Sequence, residues 1–315
     1  MIHPKVTIII LNWNGKEDTI ECLESLKHIT YPNYELLLVD NGSTDGSVEC
    51  FRGRYSEMEI IENGDNLGFA EGSNVGIRRA MEKDTDYVLL LNNDTVVDPE
   101  FLGELVKVAE GDEWIGIVGP KILYYDRPSI INQLGGYINY IIGGPIGYKS
   151  GQTDIGQYDK NIEVKFLSGT ALLIHKKVFV NIGLLDPIYF VTHEETDFEM
   201  RAQAAGYKLL CAPKSKLYHK ISASMNKVPG ISRYYAIRNR FIFMGRYASN
   251  IQIFVFFVWF CFITLPQLII SLFVKNKKSK KQYLKYIFDG TFDGLTILAK
   301  EKRDGFYFFL VRHKL

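Results

Sequence analysis

The sequence predicts an α/β protein with a doubly wound, mostly parallel sheet and helices on both faces. Over roughly the first 200 residues, short apolar runs alternate with amphipathic stretches of helical period, the pattern of a parallel sheet with crossover helices. Several apolar runs end in polar residues, as expected where strands reach a ligand-binding edge. Hydrophobic residues make up 47% of the 315 residues and charged residues 23%, which is typical of a folded globular protein.

The elements follow in order along the chain. Residues 6–11 (VTIIIL) form an uninterrupted β-branched run, which suits a strand buried on both faces. Residues 16–28 place Ile20, Leu23 and Leu26 at helical spacing. The next elements are a strand at 35–40, turn residues at 41–46, a weak strand at 60–61, a helix at 70–81, a strand at 87–91 and a helix at 99–109 that starts with proline.

Regular patterning weakens between residues 124 and 165, where Gly, Tyr, Ile and Asn predict a loop-rich excursion over the site. Order returns at 166–174, followed by a helix at 194–205 and a strand at 208–211. Cys22, Cys50, Cys211 and Cys261 lie far apart without a CxxC pair, and are interpreted as reduced thiols. The short apolar run at 6–11 does not fit a signal peptide, so we expect a cytoplasmic catalytic region.

The charge is strongly asymmetric, although the net charge is only +1. Residues 1–200 carry 16 Lys and Arg against 32 Asp and Glu, whereas residues 201–315 carry 21 against 4. Such a basic C-terminal part prefers an anionic surface, either lipid head groups or phosphates. We therefore predict a catalytic domain at 1–225 and a basic, membrane-associated region at 226–315.

The apolar segment 251–274 contains no charged residue. A helix of about 24 residues is long enough to cross a hydrocarbon core of roughly 30 Å. Basic residues flank both ends, and Pro266 could kink the helix, so a spanning helix and a re-entrant hairpin both remain open. The tail at 282–315 has amphipathic spacing and is expected to lie along the membrane surface.

A first group of candidate site residues follows the first two strands. Asn12, Trp13 and Asn14 come after the first strand and Asp40 after the second. An aromatic ring gives a nucleobase a face to pack on, and a carboxylate can accept an imide N–H from a pyrimidine. The alternative interpretation is structural, with Asn14 as a helix cap and Asp40 stabilising a turn.

A second group, Asn92, Asn93 and Asp94, directly follows the strand YVLLL. Asp94 is suited to bind Mg²⁺ or Mn²⁺, a hard cation that bridges phosphate oxygens and neutralises a departing diphosphate. The alternative is a turn that leads into a helix cap. His219 follows a strand further along the chain, where a metal or phosphate role and a structural role both remain open.

A third group of candidate residues lies at the start of the helix predicted at 194–205. Glu194, Glu195 and Asp197 place three carboxylates within four residues; their mutual repulsion raises at least one pKa, which makes a general base plausible. Arg201 follows Asp197 at helical spacing and is expected to pair with it, which leaves Glu194 or Glu195 for chemistry. The alternative is that these acids complement the helix dipole.

The run from Asn66 through Gly68 to Gly72 precedes a helix whose backbone amides could face a diphosphate. The first strand ends in NWNG rather than GxGxxG, which disfavours a dinucleotide-binding oxidoreductase.

Five segments together resemble glycosyltransferase family 2, an inverting family of GT-A fold. They span roughly residues 4–225 in the family's order and read VTIIILNWN, ELLLVDNGSTDGS, NLGFAEGSNVGI, YVLLLNNDT and HEETDFEMRAQAAGYKL. The chain is most similar to rhamnosyltransferase-like members, whose sequences continue into a histidine and an RN-containing segment. The resemblance implies a nucleotide diphosphate sugar donor, UDP- or dTDP-linked, with rhamnose among the candidate sugars.

The resemblance also implies roles for single residues. Trp13 matches the aromatic residue that packs on the base, and Asp40 the carboxylate that reads it. Asn92-Asn93-Asp94 matches the DXD motif, with Asp94 as its only carboxylate and the expected ligand of Mn²⁺ or Mg²⁺. His219 matches a histidine that completes the metal or diphosphate site.

Glu195 falls at the family's catalytic base, where an aspartate is common; a glutamate reaches about one methylene further. Ser168 and Gly169 lie where family members line the acceptor pocket. In the implied mechanism, the base deprotonates an acceptor hydroxyl that displaces the nucleotide with inversion and without a covalent enzyme intermediate. With the membrane-associated region, this predicts a lipid-linked or cell-surface glycan as acceptor.

Two other functions remain open from the residues. A nucleotidyltransferase also uses a nucleotide-binding α/β domain and a metal, but usually carries a basic Gly-rich loop after its first strand, whereas Asn12–Lys16 supplies one Lys and one Gly. A non-catalytic membrane scaffold would not need both Asp94 and Glu195. Nucleic-acid binding is disfavoured, because the basic half carries a long uncharged apolar run that suits lipid better.

Overall fold

The structure is a computed structural model that describes residues 3–220, 231–274 and 280–312. The strands are β1 (Val6–Asn12), β2 (Tyr34–Asp40), β3 (Glu59–Glu62), β4 (Tyr87–Asn92), β5 (Thr95–Val97), β6 (Ile115–Tyr124), β7 (Ile131–Gln133), β8 (Gly136–Asn139), β9 (Gly144–Gly147), β10 (Ile162–Val164), β11 (Ala171–His175) and β12 (Lys208–His219). The helices are α1 (Lys16–Leu26), α2 (Ser47–Arg54), α3 (Gly68–Glu82), α4 (Phe101–Ala109), α5 (Lys176–Ile182), α6 (Glu194–Ala204), α7 (Ile231–Tyr247), α8 (Asn250–Trp259), α9 (Leu265–Val274) and α10 (Lys280–Arg312).

The main sheet has the order β10-β12-β6-β11-β4-β1-β2-β3, with β5 paired to β12 and β7 to β6. Strands β3, β2, β1, β4, β6 and β12 run in one direction, and β11 lies antiparallel between β4 and β6. The fold is therefore a GT-A-like α/β fold with a mostly parallel central sheet. β8 and β9 form a separate two-stranded sheet.

Alternating residues of the central strands enter opposite cores, which explains why these strands read as continuous apolar runs. Ile8 and Ile10 belong to the cluster that contains Leu23 of α1. Ile9 belongs to the cluster that contains Ile77 of α3. The sheet is thus covered on both faces, and the polar carboxyl ends of β1, β2 and β4 are left at one edge.

Most predicted elements are present, with some differences in extent. α4 begins at Phe101 rather than at residue 99. The predicted strand at 208–211 continues to His219, through an irregularity between Ala212 and Lys216 in its pairing with β6. The excursion at 124–165 contains the short strands β7 to β10.

Several elements were missed by the sequence patterns, among them β5, β6, α2, α5 and α7. β6 contains two glycines, a proline and Lys121, residues that are unusual in a central strand. Lys121 is nevertheless fully buried, because its Nζ contacts Asp154 at 3.0 Å and Asp159 at 3.3 Å. α2 is only eight residues long and contains Gly53, which weakens its helical signal.

The contacts divide the described residues into two compact units. The first holds the main sheet and consists of residues 3–137, 146–190 and 194–220. The second consists of 138–145, 191–193 and the described residues from 231 onward. The boundary at residue 225 of the sequence-based domains stays a prediction.

The second unit is helical. Phe241 of α7 packs against Phe256 and Phe260, with ring centroids 5.1 and 5.0 Å away. Gly294 of α10 allows a close approach to α7, since a Cβ there would lie 2.8 Å from the Phe241 ring. Residues 250–274 are helical throughout, through a π-helical stretch at Phe260–Thr264, so this run contains no hairpin turn.

Candidate functional site

Asn12, at the carboxyl end of β1, connects three loops at the edge of the sheet. β1 and β2 pair in a register that places Asn12 opposite Asp40, and the Asn12 amide nitrogen donates to Asp40 Oδ2 (2.7 Å). Asn12 Oδ1 accepts from Gly15 N (3.1 Å) and Thr19 Oγ1 (2.9 Å). Asn12 is fully buried and its side chain supports the neighbouring loops, while its role as a nucleotide contact stays a prediction.

Asp40 holds the turn that follows β2. It is 2% exposed, and its Oδ1 accepts from the backbone nitrogen of Ser43 at 2.8 Å. The turn-stabilising role considered for Asp40 is therefore present. Its role in reading a base stays a prediction.

Trp13 and Asn14 form the loop between β1 and α1. Asn14 has a positive φ of 51°, and its side-chain oxygen accepts from Thr44 N at 2.7 Å. Its backbone nitrogen donates to Ser43 Oγ at 2.8 Å. Gly15, rather than Asn14, precedes α1 as its N-cap residue, so the helix-cap interpretation of Asn14 is wrong. Trp13 is half-buried in this cross-linked loop.

Asn41 is a site residue that the sequence patterns missed. Its amide nitrogen donates to Asn66 Oδ1 and to the Gly68 carbonyl oxygen, both at 3.0 Å. Its oxygen accepts from Asn63 Nδ2 at 3.0 Å, so Asn41 ties the end of β2 to the loop before α3. The available signal was its position directly after Asp40 at a strand end.

The N-terminus of α3 is occupied by protein. The backbone nitrogens of Phe69 and Ala70 donate to the carbonyl oxygen of Phe190, at 2.6 and 3.2 Å. Gly68 has a φ of 81°, and a Cβ there would lie 2.5 Å from the Phe190 ring. Two amides of this run are therefore bonded to the protein itself, and binding of a diphosphate by the run stays a prediction.

The side chains of the Asn92-Asn93-Asp94 segment have different surroundings. Asn93 donates to Thr19 Oγ1 (2.8 Å) and to Asn12 Oδ1 (3.3 Å), which fixes the turn after β4 against the end of β1. Its amide nitrogen thus has a structural role, and the role of Asn93 as a nucleotide contact stays a prediction. The side-chain oxygen of Asn92 is buried and has no hydrogen-bond partner. It remains available to a polar group that enters the site.

Asp94 lies beside His219. β5 pairs with the end of β12 so that Thr95 faces His219, and this places His219 Nε2 3.2 Å from Asp94 Oδ1. The backbone nitrogen of Lys220 donates to the Asp94 carbonyl oxygen at 3.0 Å. The Lys220 ammonium is held by Asp18 Oδ1 at 2.7 Å and Glu21 Oε2 at 2.5 Å.

The Asp94–His219 pair fits a divalent cation as a partial ligand set. A carboxylate oxygen and an imidazole nitrogen within 3.2 Å of each other suit Mn²⁺, and carboxylate with phosphate or water oxygens suits Mg²⁺. Within the described ranges no group of three or more His, Cys, Asp or Glu side chains could hold a metal ion.

Three glutamates cluster on α6. Glu194 and Glu199 are buried, and Glu195 is half-buried. Burial, followed by the charge of Glu195, raises the pKa of both Glu194 and Glu199 well above the usual range of a glutamate. Glu195 is the most exposed residue of the three. Glu199 was missed by the sequence patterns, although it follows Glu195 at helical i,i+4 spacing.

The predicted acceptor residues lie next to this cluster. Both carboxylate oxygens of Glu199 accept from the backbone nitrogen of Leu167, at 3.0 and 3.2 Å. Ser168 and Thr170 share a hydrogen bond of 2.8 Å between their hydroxyls. A Cβ on Gly169 would lie 3.3 Å from Glu195 Cγ. Because residue 169 is a glycine, the 167–170 loop can pass close to the Glu195 side chain.

Asp197 does not take part in this arrangement. It is fully buried, and its two oxygens accept from Tyr189 Oη (3.2 Å) and Arg201 Nε (2.8 Å). Arg201 also donates to the carbonyl oxygens of Ile182 and Leu184. The predicted Asp197–Arg201 pair is confirmed, and both oxygens of Asp197 are bonded to protein groups, while a catalytic role for Asp197 stays a prediction.

Comparison with known proteins shows the family of the chain. The model of glycosyl transferase family 2 matches residues 7–183. The chain is 23% identical over 302 residues to a dTDP-rhamnosyl transferase, RfbF, of Shigella flexneri, covering 93% of this chain and 96% of that protein. It is 26% identical to an N-acetylglucosaminyl-diphospho-decaprenol L-rhamnosyltransferase of Mycobacterium tuberculosis, over 66% of this chain and 73% of that protein.

Solved structures share the fold. GalNAc-T7, solved with UDP, GalNAc and Mn²⁺, matches with a TM-score of 0.62 and 18% identity, over 76% of this chain and 48% of that one. The mannosyltransferase PcManGT of Pyrobaculum calidifontis, solved with GDP-Man and Mn²⁺, matches with a TM-score of 0.54 and 15% identity, over 96% and 88% of the two chains. These likenesses establish the fold alone.

Proposed function

We propose, from the premise that this chain belongs to glycosyl transferase family 2, that it moves a sugar from a nucleoside diphosphate donor to a glycan hydroxyl with inversion at the anomeric carbon. The observation that carries this proposal is the position of Glu195. It is the half-buried member of a glutamate cluster on α6, its charge helps to raise the pKa of the buried Glu194 and Glu199, and it lies against Gly169 of the 167–170 loop. A carboxylate in this setting can accept the proton of an entering hydroxyl.

Two groups of residues in the first unit serve different parts of the proposed reaction. Asp94 and His219 would hold a divalent cation, which neutralises charge on the departing diphosphate. Glu195 takes the proton from the acceptor hydroxyl, whose oxygen then attacks the anomeric carbon from the face opposite the diphosphate. Glu199 holds the backbone of the acceptor loop through Leu167, and Asn12 and Asn93 hold the loops near the donor.

The names of two relatives guide the choice of sugar donor and acceptor. Two of them are named as rhamnosyltransferases, one with a dTDP-sugar donor and one with a diphospho-decaprenol acceptor. We assign dTDP-rhamnose as the first donor to test, followed by UDP-sugars. A lipid-linked glycan is the corresponding acceptor class.

The C-terminal helices support a lipid-linked acceptor. Of the described helices, one run is long and apolar enough to cross a membrane, Asn250–Ser271, and 11% of it is buried. Ile251, Phe254 and Phe262 are each at least 69% exposed along it. An apolar run whose side chains are exposed suits contact with lipid. We place the catalytic unit on the cytoplasmic side of the membrane. Flotation with anionic vesicles, followed by carbonate extraction, tests membrane binding and separates an integral from a peripheral protein.

The test of function is a transfer assay with purified full-length chain, dTDP-rhamnose and a polyprenyl-diphosphate-linked amino sugar, with and without Mn²⁺. We expect metal-dependent release of nucleoside diphosphate and a product of inverted anomeric configuration. Release of pyrophosphate would indicate a nucleotidyltransferase instead. No turnover and no binding with any nucleotide sugar in a UDP-, dTDP- and GDP-linked panel would favour a non-catalytic scaffold.

A further inference from the structure

His219, the candidate metal ligand on β12, lies at the end of two strand pairings. On one side it pairs with Thr95 of β5, a strand of only three residues, and on the other with Tyr124, the last residue of β6. The ends of strands open more easily than their centres. The distance between His219 and Asp94 therefore depends on how the residue after His219 is held.

Lys220 holds this end of β12 with its side chain and its backbone. Its ammonium lies 2.7 Å from Asp18 Oδ1 and 2.5 Å from Glu21 Oε2, both on α1. The Lys220 side chain is 19% exposed, so these ion pairs are less screened by water and salt than pairs on the open surface. The backbone nitrogen of Lys220 donates to the Asp94 carbonyl oxygen at 3.0 Å. Lys220 thus joins the end of β12 both to α1 and to the residue before β5.

Tyr125, the residue after β6, contacts the same group. Its hydroxyl donates to Glu21 Oε1 at 2.6 Å, and its ring centroid lies 5.2 Å from the Lys220 ammonium. Its backbone nitrogen donates to the His219 carbonyl oxygen at 3.1 Å. We call Lys220, Asp18, Glu21 and Tyr125 the β12 clamp. All four residues lie in the first unit, together with the two candidate metal ligands.

α1, which carries both carboxylates of the clamp, is itself fixed at the same edge of the sheet. The Thr19 hydroxyl donates to Asn12 Oδ1 at 2.9 Å and accepts from Asn93 Nδ2 at 2.8 Å. The buried Cys22 Sγ lies 3.7 Å from Thr95 Oγ1 of β5. The clamp is therefore attached to a helix that also supports the ends of β1 and β4.

We propose that Lys220 is a positioning residue for His219. The clamp keeps the end of β12 paired with β5, and this pairing keeps the His219 imidazole beside the Asp94 carboxylate. In this role the Lys220 ammonium stays on the two carboxylates of α1 and does not contact the nucleotide donor. This inference rests on the proposed metal site at Asp94 and His219.

The test compares Lys220→Met with the wild-type full-length protein. Methionine keeps an apolar stem and removes the charge. We expect the Kd of Mn²⁺, titrated by calorimetry in the presence of dTDP or UDP, to rise about tenfold, as is typical when a group that orients a metal ligand is lost. Hydrogen exchange at the amides of Tyr125 and residue 220 should also become faster, because these amides bond to His219 and Asp94.

Lys208→Met is the matched control. Lys208 is the first residue of β12, and its ammonium pairs with Asp112 at the opposite end of the same strand. The substitution removes the same charge from the same strand, so it should leave both the Kd of Mn²⁺ and the exchange near His219 unchanged. Lys220→Arg keeps the charge and both carboxylate partners, and should return the Kd of Mn²⁺ to within about twofold of wild type.

The carboxylates of the clamp separate positioning from direct binding. In the double variant Asp18→Asn, Glu21→Gln, the Lys220 ammonium loses both charged partners but stays in the protein. Positioning predicts the same rise in the Kd of Mn²⁺ as in Lys220→Met, and no further rise when all three substitutions are combined. An ammonium that bound the diphosphate itself would bind it as well or more tightly in the double variant, and this result would overturn the positioning role.

The outcomes are distinguishable from failure of the proposed metal site. An unchanged Kd of Mn²⁺ in Lys220→Met, while Asp94→Ala loses metal-dependent binding, would overturn the positioning role alone. An equal rise in Lys208→Met would also overturn it, because the effect would then come from a general loss of stability in β12. Retained metal-dependent binding in Asp94→Ala would remove the metal site and this inference together. The double variant replaces Lys220→Met if that variant does not fold.

Discussion

His219 Nε2 lies 3.2 Å from Asp94 Oδ1, at the place where the three-residue strand β5 pairs with the last residues of β12. The two residues are distant in sequence, and the contact depends on β12 extending to His219. Because β5 directly follows Asp94, the pairing of Thr95 with His219 brings both side chains to the same edge of the sheet.

The first prediction concerns this pair. Asp94→Ala should abolish Mn²⁺-dependent binding of the nucleotide donor, because it removes the carboxylate of the ligand set. His219→Ala should weaken this binding by at least about tenfold, since one nitrogen ligand of the metal is lost while the Asp94 carboxylate remains. Calorimetric titration of dTDP or UDP with and without Mn²⁺ measures both effects.

Asp126→Asn is the matched control, because Asp126 is an exposed carboxylate outside the site. It should bind donor and metal as the wild type does. Unchanged metal dependence in Asp94→Ala would contradict the assignment of the metal site.

The second prediction separates the neighbouring glutamates. Glu195→Gln should lower kcat by about 10²- to 10⁴-fold, the usual contribution of a general base, with donor binding retained. Glu194→Gln should stay within about fivefold of wild type, because burial and the Glu195 charge raise the pKa of Glu194 and a glutamine resembles its protonated form. Steady-state kinetics with both substrates measures the difference. The reverse ranking of the two variants would move the base to Glu194.

The third prediction concerns the space above Glu195. A Cβ on Gly169 would lie 3.3 to 3.5 Å from three carbon atoms of Glu195, close enough to shift the side chain by a few tenths of an ångström. Gly169→Ala should therefore fold normally and bind donor, but lose about tenfold in kcat. Gly103→Ala, on α4 with open space around it, is the control and should have wild-type kinetics. Wild-type kcat in Gly169→Ala would argue against a tight fit between this loop and the base.

The fourth prediction compares two glycines with similar backbone angles. Gly68 has a φ of 81° and would place a Cβ 2.5 to 2.7 Å from Phe190, whereas Gly64 has a φ of 77° and open space. Gly64→Ala should lower the free energy of unfolding by about 1 kcal/mol, from backbone strain alone. Gly68→Ala should cost about 3 kcal/mol, since the clash with the Phe190 backbone adds to the strain. Thermal and urea unfolding measure both, and equal losses would show that the Phe190 contact relaxes without cost.

The fifth prediction is a pH dependence of stability from His193. Burial, followed by the charge of Arg240, lowers the pKa of His193 to about 4. Between about pH 6.5, the ordinary pKa of an exposed histidine, and pH 4, the unfolded chain binds a proton that the folded chain does not. This contribution to stability is therefore complete above about pH 6.5 and is lost as the pH falls toward 4, by about 3 kcal/mol at most.

His193→Gln lacks this titration. The difference in unfolding free energy between wild type and His193→Gln should shrink as the pH is lowered from 7 to 4. The raised pKa values of Glu194 and Glu199 have the opposite effect on stability, but they are present in both proteins and cancel in the difference. A difference independent of pH would show that His193 is not held neutral.

The alternation of apolar runs and amphipathic stretches was enough to predict the central strands β1, β2 and β4 and the helices α1, α3 and α6, because a buried strand and an amphipathic helix have distinct periods. It was not enough for β6, whose Lys121 is buried only through Asp154 and Asp159 in a distant segment. The same limit applies to the site. The Asp197–Arg201 pair is local to one helix turn and was predictable, whereas the capture of the α3 N-terminus by Phe190 was not.

The sequence by itself determined the fold class, the family and the chemical types at the strand ends, because these depend on local periodicity and on the order of short motifs. Only the tertiary structure decided which polar residues are held by the protein and which remain for chemistry. The side chains of Asn12 and Asn93 are bonded to residues of other segments, while Asp94 lies beside His219 and Glu195 lies against Gly169. The physical reason is that burial and pairing of a polar group depend on segments far away in sequence, and local pattern carries no information about them.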